Sequence, residues 1–567
     1  MSSLTQHIVN LAIYSPLVFA ALVLLLPSSE RGQIRVWTFV GMLVNFGLCV
    51  WLYCLFQPGG AEFQLETRSR WLDELGMSYH VGVDGLAASL MLLTGFLGPL
   101  VVLASWTFIQ ERVKEFHLAL LIIQTAMLGA LGAMDIIVFY VFFEAMLLPM
   151  YLLVGVWGSE DRRKAAMKFF LYTLSGSLVM LVAILAVYFM AHPGGERSFD
   201  YASIYNALIA ANKQLGSCGA DGVICTLSPL ASALKSYGPL LFLAFAVAFA
   251  IKVPMFPLHT WLPDAHVQAP VAGSIILAGV MLKMGTFGFW RYAVPLFPAT
   301  ALQMRPVFTA LAVAGIVYGA LMCLAQKDIK KLIAYSSVSH LGYCMLGIFA
   351  FTPEGAVGSA YQMLSHGIST GALFLLFGFL YERRHTRLIS DFGGIAKVMP
   401  FFAAAFVIIT FSSVAVPGTN GFVGEFLVLL GTFKAQGFGA WFGIPGSVCF
   451  GALGGLAIIL GAAYMLWMVQ KVFFGPITHS ENLHLTDLNW RERTAALAFI
   501  AAVLVMGLAP QAFLDRLIPS SNRFVMRANL SVPSGQPKPA DEAYQIDVKP
   551  LPSVLSNPSS SAAAPQP

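Results

Sequence analysis

Three ionisable residues stand inside stretches that are otherwise almost wholly apolar: Glu144 in FYVFFEAMLLPMYLL, Lys252 in LAFAVAFAIKVPMFP and Lys283 in SIILAGVMLKMGTFGFW. Hydrocarbon solvates charge poorly, so such residues are kept where a partner or a water-lined path serves them. Desolvation disfavours the charged form of a carboxylate or an ammonium, whereas pairing favours it. Making or breaking a contact between Glu144 and Lys252 would therefore move a proton. Two histidines, His340 in SSVSHLGY and His366 in MLSHGIST, add groups that can accept at one nitrogen while donating at the other. His259 in PMFPLHTWLPDAH and Glu425 in GFVGEF complete the candidates, as proton entry and as the last group before exit. The chemistry these types describe is ion conduction rather than anchoring.

The elements that must hold them are membrane helices. Of 567 residues, 58% are hydrophobic and only 11% charged, a balance no soluble domain with a polar exterior carries. About 14 apolar runs are long enough to cross ~30 Å of hydrocarbon. Backbone groups in lipid must bond internally, so the expected class is an all-α polytopic bundle. Glu144, Lys283, His340 and His366 fall near the midpoints of runs 5, 8, 10 and 11, which gives four groups at one depth and a polar line within the membrane plane. Lys252 stands two residues before Pro254, and Glu425 eight residues after Pro417. Both prolines should break their helices in mid-membrane. A straight helix over residues 398–433 would be ~54 Å long, too long to cross unbroken.

Each residue also has a structural alternative. Glu144 and Lys252 could be a fixed ion pair, His340 and His366 could be neutral rings bonded to nearby serines, and His259 could pin the broken helix. Asp84, Asp135, Asp264 and His266 lie near helix ends, where capping or an interfacial role is the ordinary reading.

Order along the chain suggests five parts: residues 1–110 with helices 1 to 3, 111–295 with helices 4 to 8, 296–476 with helices 9 to 13, 477–518 with a loop and helix 14, and a Pro/Ser-rich, disordered tail over 519–567. KFFLYTLSGSLVMLVA precedes IKVPMFP in the second part, as YQMLSHGISTGALFLLF precedes VAVPGTNG in the third. Five helices per copy would make the pair an inverted repeat. The first run has no Lys or Arg before it and should stay as helix 1 rather than leave as a signal peptide.

Connections on one face carry about 18 Lys and Arg against about 8 on the other, which places the first face in the cytoplasm and both termini outside it. Basic residues scattered in short loops give no reason to expect nucleic acid. Cys218 and Cys225 flank GADGVI on the outer side, where an oxidising compartment would let them join. Non-reducing mass spectrometry finding both thiols free would dispose of that pairing.

Four segments carry a family resemblance: VFFEAMLLPMYLLVGVWG, AIKVPMFPLHTWLPDAHVQAPVAGSIILAGVMLKMGTFG, QKDIKKLIAYSSVSHLGY and VPGTNGFVGEF. Through them the chain resembles the antiporter-like membrane subunits of respiratory complex I, from about helix 3 through helix 13. The resemblance implies proton translocation driven by electron transfer from NADH to quinone in other subunits. It makes Glu144 with Lys252 a switching ion pair, Lys283, His340 and His366 a central axis, and Glu425 its end. Glutamate rather than lysine at 425 points to one of three paralogous branches.

Implied partners are the other membrane subunits, including two paralogues, within a lipid bilayer, most simply the bacterial cytoplasmic membrane. NADH, FMN, iron-sulfur clusters and quinone belong to those partners. No cofactor or metal is expected in this chain, because no strand-glycine-helix fingerprint or cysteine cluster of ligand spacing is present. Two alternatives stay open: a subunit of a multi-subunit sodium/proton antiporter or membrane-bound hydrogenase, and a structural subunit that conducts nothing.

Overall fold

The computed structural model describes residues 3–192, 197–217, 227–441 and 443–529. Twelve of its helices are by length and composition able to cross a membrane. Spans 1 to 6 are Ile8–Leu25, Arg31–Leu55, Gly85–Ser105, Val113–Gly132, Ile136–Trp157 and Arg162–Ala191. Spans 8 to 11 are Val271–Leu296, Pro298–Leu324, Ile329–Ala350 and Pro353–Arg384, and span 13 is Gly446–Phe473.

The remaining crossings are interrupted. Span 7 runs as Pro229–Lys252, unwinds, and resumes as Trp261–Gln268; span 12 runs as Pro400–Ser413 and resumes as Asn420–Lys434. The breaks sit at Pro254 and Pro417, where a missing N–H and a ring clash end the hydrogen-bond ladder. Both fall in the fourth span of their five-span sets, 4 to 8 and 9 to 13. Trp490–Leu508, span 14, meets Gln511–Ala528 at a bend of 66°.

Spans 8 and 11 are the core of the bundle, buried throughout their apolar windows, whereas spans 1, 2 and 13 expose most of theirs. An all-round apolar helix is stable either in lipid or in a protein interior. What singles out the interior ones here is their polar content: Lys283 on span 8, and His366 with its serines on span 11, are buried.

Outside the spans the chain adds an antiparallel hairpin of β1 (Gln64–Leu72) and β2 (Met77–Val83), turned by Asp73–Leu75 and Gly76 at φ +66°. The polar alternation of QLETRSRWL gave no apolar run to reveal it. His80 of β2 bonds Asp200 at 2.6 Å and Glu66 at 3.2 Å, and Asp135 accepts from the Ser78 amide at 3.1 Å. Burial opposes the charged His80 ring, but the two carboxylates outweigh it and hold His80 above the ordinary histidine value. Burial would also raise Asp200, yet His80 holds it below the ordinary carboxylate value.

The signs set a window. Stability from His80 is complete below its unfolded value of about 6.5 and is lost as pH rises through the raised folded value; that from Asp200 is complete above about 3.9 and is lost as pH falls through the lowered one. Thermal midpoints of the purified protein should therefore fall as pH rises from neutrality past the folded value of His80. In His80→Gln this alkaline decline should flatten, and an equal decline in both proteins would refute the assignment.

Helix Gln511–Ala528 carries the chain past Pro519, so the compositional change there does not end the helical body as expected. Ser520 and Phe524 pack inward, the Ser520 hydroxyl accepting from the Gly85 amide at 3.0 Å and Phe524 stacking on Trp290. Cys218, Cys225 and the chain from residue 530 lie outside the described residues.

Candidate proton-relay line

Span 8 is not uniform. Five-residue π turns, Leu277–Met281 and Phe289–Ala293, flank Lys283, features that recur at functional sites. The Leu282 amide reaches back to the Leu277 carbonyl at 3.2 Å rather than to Ala278. Lys283 Nζ donates to the Ala278 carbonyl and meets His366 Nδ1 of span 11 at 2.6 Å. A proton lies between lysine and histidine whichever of them carries it.

The His366 ring lies 5.7 Å, centre to centre, from that of His340 on span 10. His340 Nδ1 in turn meets Glu425 Oε1 at 2.9 Å, and its Nε2 faces the Ser413 hydroxyl at 3.4 Å. Lys283, His366, His340 and Glu425 are all buried. They lie in one row across spans 8, 11, 10 and 12 as two bonded pairs, Lys283 with His366 and His340 with Glu425, whose rings approach without a hydrogen bond between them, His366 Nε2 having no partner among the described residues.

At the other end the geometry differs from the expected ion pair. Lys252 is the last residue of the first half of span 7, and its ammonium lies 4.7 Å from the centre of the Phe143 ring rather than on Glu144. Glu144, half-buried on span 5, has the Ser177 hydroxyl of span 6 beside it. Lys252 and Glu144 feel each other's charge without touching. The end of the half-helix is held by the Trp261 indole, which donates to the Ile251 carbonyl at 3.0 Å.

Gly285 lets span 8 approach this break: a Cβ there would lie 2.6 Å from the Phe249 carbonyl oxygen and 2.7 Å from the Val253 amide nitrogen. Backbone cannot yield as a side-chain tip can. Gly285→Ala should destabilise the bundle by roughly 1–3 kcal/mol through overpacking. A lower melting midpoint in detergent would check this, and an unchanged midpoint would contradict it.

His259 stands within the break, 5.0 Å from the Tyr318 ring and 5.8 Å from Phe256, with a buried Nδ1 that has no hydrogen-bond partner. No hydrogen bond ties it to the row. Asp84 and Asp135 cap spans 3 and 5 as their positions suggest, and Asp264 pairs with Lys168 at 2.7 Å.

Four groups escaped the sequence reading. Gln362, one helical turn before His366, donates to Glu425 Oε1 at 3.1 Å. His266 is buried against Phe374 with both nitrogens unpartnered, so it is not an interfacial residue. Lys330, taken as loop charge, is buried and donates to the Ala269 carbonyl at 2.6 Å. Arg291 is buried with Asp84 at 2.9 Å. Among the described residues, no group of three or more His, Cys, Asp or Glu is placed to hold a metal ion.

Comparison with known proteins places the chain in a family. The family described as "NADH:quinone oxidoreductase/Mrp antiporter, TM" matches residues 133–451, the stretch that contains Glu144, both half-helix breaks and Glu425. NADH-quinone oxidoreductase subunit M of Rhodobacter capsulatus is 40% identical over 520 residues, covering 91% of this chain and 96% of that one. NADH-ubiquinone oxidoreductase chain 4 of Marchantia polymorpha is 37% identical over 511 residues, covering 90% and 95%.

Among solved structures, a chain of respiratory complex I from Thermus thermophilus with bound NADH superposes with a TM-score of 0.78 at 35% identity, over 92% of this chain and 99% of that one. A chain of the Mrp complex from Dietzia sp. shares the fold alone, with a TM-score of 0.75 at 19% identity over 94% and 98%. The chain belongs to the antiporter-like NADH:quinone oxidoreductase membrane-subunit family, in its subunit M branch.

Proposed function

We propose that this chain is the proton-translocating subunit M of a membrane-bound NADH:quinone oxidoreductase, moving protons outward along Glu144, Lys252, Lys283, His366, His340 and Glu425. The observation that carries the reading is the buried row from Lys283 to Glu425, with Lys283 2.6 Å from His366, His340 2.9 Å from Glu425 and the two histidine rings 5.7 Å apart, centre to centre. A row lying in the membrane plane cannot carry protons across by itself. The broken spans supply the perpendicular legs, because unwound backbone lines polar space at membrane depth.

Lys252, set over an aromatic face and apart from Glu144, is in the open state of the proposed switch. Bringing the two together would favour the charge on both and draw a proton from Glu144 onto Lys252; separating them again would release it toward Lys283. His259, in the break that follows Lys252 in the chain, is the entry group on this reading. Work against the membrane potential is ~2.3 kcal/mol per charge per 100 mV. It is delivered by neighbouring membrane subunits, two of them paralogues, while NADH, FMN, iron-sulfur clusters and quinone reside in partner chains of a bacterial cytoplasmic-membrane assembly.

Glu144→Gln and Lys252→Ala, tested in inverted vesicles with assembly checked on native gels, separate this from a purely structural subunit. Loss of NADH-driven proton uptake with assembly intact supports translocation. Undiminished uptake by both assembled variants would reject it.

A further inference from the structure

We infer that Gln362 is the positioning residue of Glu425: its side-chain amide holds the carboxylate through Nε2 and, after turning over, accepts from the carboxylic acid through Oε1. The inference rests on Glu425 carrying a proton, as proposed above. Three observations support it. Gln362 Nε2 donates to Glu425 Oε1 at 3.1 Å, the same oxygen that His340 Nδ1 meets at 2.9 Å. Gln362 is 2% exposed, and its Oε1 is buried with no hydrogen-bond partner. Gly424, next to Glu425, leaves room for that oxygen, since a Cβ there would lie 2.5 Å from Gln362 Oε1.

A buried amide oxygen without a donor forfeits the hydrogen bond that water would have given it. It therefore has a use in some other state of the site. When His340 Nδ1 gives its proton to Glu425, the N–H bond breaks and an O–H bond forms; imidazolium becomes imidazole and carboxylate becomes carboxylic acid. The acid is now a donor. An amide carries a donor and an acceptor on one carbon, so a half-turn of its terminal group satisfies either form of Glu425 with no movement of the helices. A hydroxyl could also do both, but histidine or lysine at 362 would bring a second charge.

Other titratable groups face Glu425 as well. Span 10 presents His340, Tyr343 and Cys344, span 11 presents His366, and span 13 presents Tyr464. The first half of span 12 offers the Ser413 hydroxyl, and span 14 keeps its ionisable residues in its first turn, where Glu492 pairs with Arg383. Gln362 is set apart from all of these because it contacts the carboxylate and stays neutral throughout.

The test uses the assembled enzyme in proteoliposomes, with NADH oxidation under uncoupler as the control for assembly. Gln362→Met keeps length and removes both polar atoms. Losing the donor to the carboxylate disfavours its charged form, so the acid-side midpoint of the pumping profile should move up by about one pH unit, a tenfold change in proton affinity. Gln362→Asn, which retains an amide, should recover part of that shift.

A second reading needs no Gln362 variant. In wild-type enzyme, the infrared band of protonated Glu425, identified by its loss in Glu425→Gln, should lie where a hydrogen-bonded acid absorbs. A band of a free acid overturns the inference, as does a Gln362→Met profile that superimposes on wild type while Glu425→Gln abolishes pumping. Undiminished pumping by Glu425→Gln overturns the proton-carrying reading, and the amide's role falls with it.

Discussion

Lys283→Met in the assembled enzyme should reduce NADH-driven proton translocation by about 10²-fold or more, the scale on which a positioned proton-transfer group acts. Lys283 stands at the span 8 end of the row with His366, His340 and Glu425, and its ammonium is held from two sides, by the Ala278 carbonyl and by His366 Nδ1. Methionine has nearly the same length and no proton to give. Among the described residues Lys283 has no carboxylate partner whose charge would be orphaned, and a lone buried charge is itself costly, so a folded, assembled complex is the expected background. Acidification measured with a pH-sensitive dye in proteoliposomes reads the effect. Normal pumping by an assembled Lys283→Met enzyme would remove the row from the path.

Arg291→Met should act on the bundle instead. Arg291 lies in the second π turn of span 8, 2.9 Å from Asp84, and its guanidinium stacks on the Phe287 and Phe63 rings at 4.8 and 5.0 Å. Asp84 is 4% exposed and caps span 3 by accepting from the Ala87 amide at 2.7 Å. Breaking a buried pair by removing one partner leaves the other charge uncompensated, at a cost of about 3–5 kcal/mol. We expect lower amounts of the subunit in membranes and a lower melting midpoint in detergent. The double variant Arg291→Met/Asp84→Asn should recover much of the loss, because the orphaned carboxylate is gone. A double variant no better than the single would show that the arginine acts through packing alone.

These two residues illustrate how far the sequence could be read. Lys283 stands in the middle of an apolar run, where a charge announces itself. Arg291 lies eight residues further on, near the end of the same run, where arginine ordinarily reaches water, and packing against Phe63, just before the hairpin, and Asp84, the cap of span 3, helps to bury it. Lys330 misled in the same way. The breaks in spans 7 and 12 were legible because Pro254 and Pro417 act locally, whatever surrounds them.

Shared depth placed Lys283, His340 and His366 on a common level, but depth does not give rotation about a helix axis. The pairing of His340 with Glu425, and the separation of Glu144 from Lys252, depend on how the helices turn toward each other. Gln362 was hidden for a further reason: a neutral amide inside a helix reads as ordinary polar packing until its partner is known. The β1–β2 hairpin was missed because its stability comes from His80, Asp200 and Asp135 meeting across long sequence separations.

The most direct test of the proton-line account is the number of protons moved per NADH oxidised by the assembled enzyme carrying Glu425→Gln, measured in sealed proteoliposomes against wild type. The account predicts a lower ratio, because the row ends on a group that can no longer take up or release a proton. A ratio equal to wild type, with the variant subunit present in full amount, would contradict it.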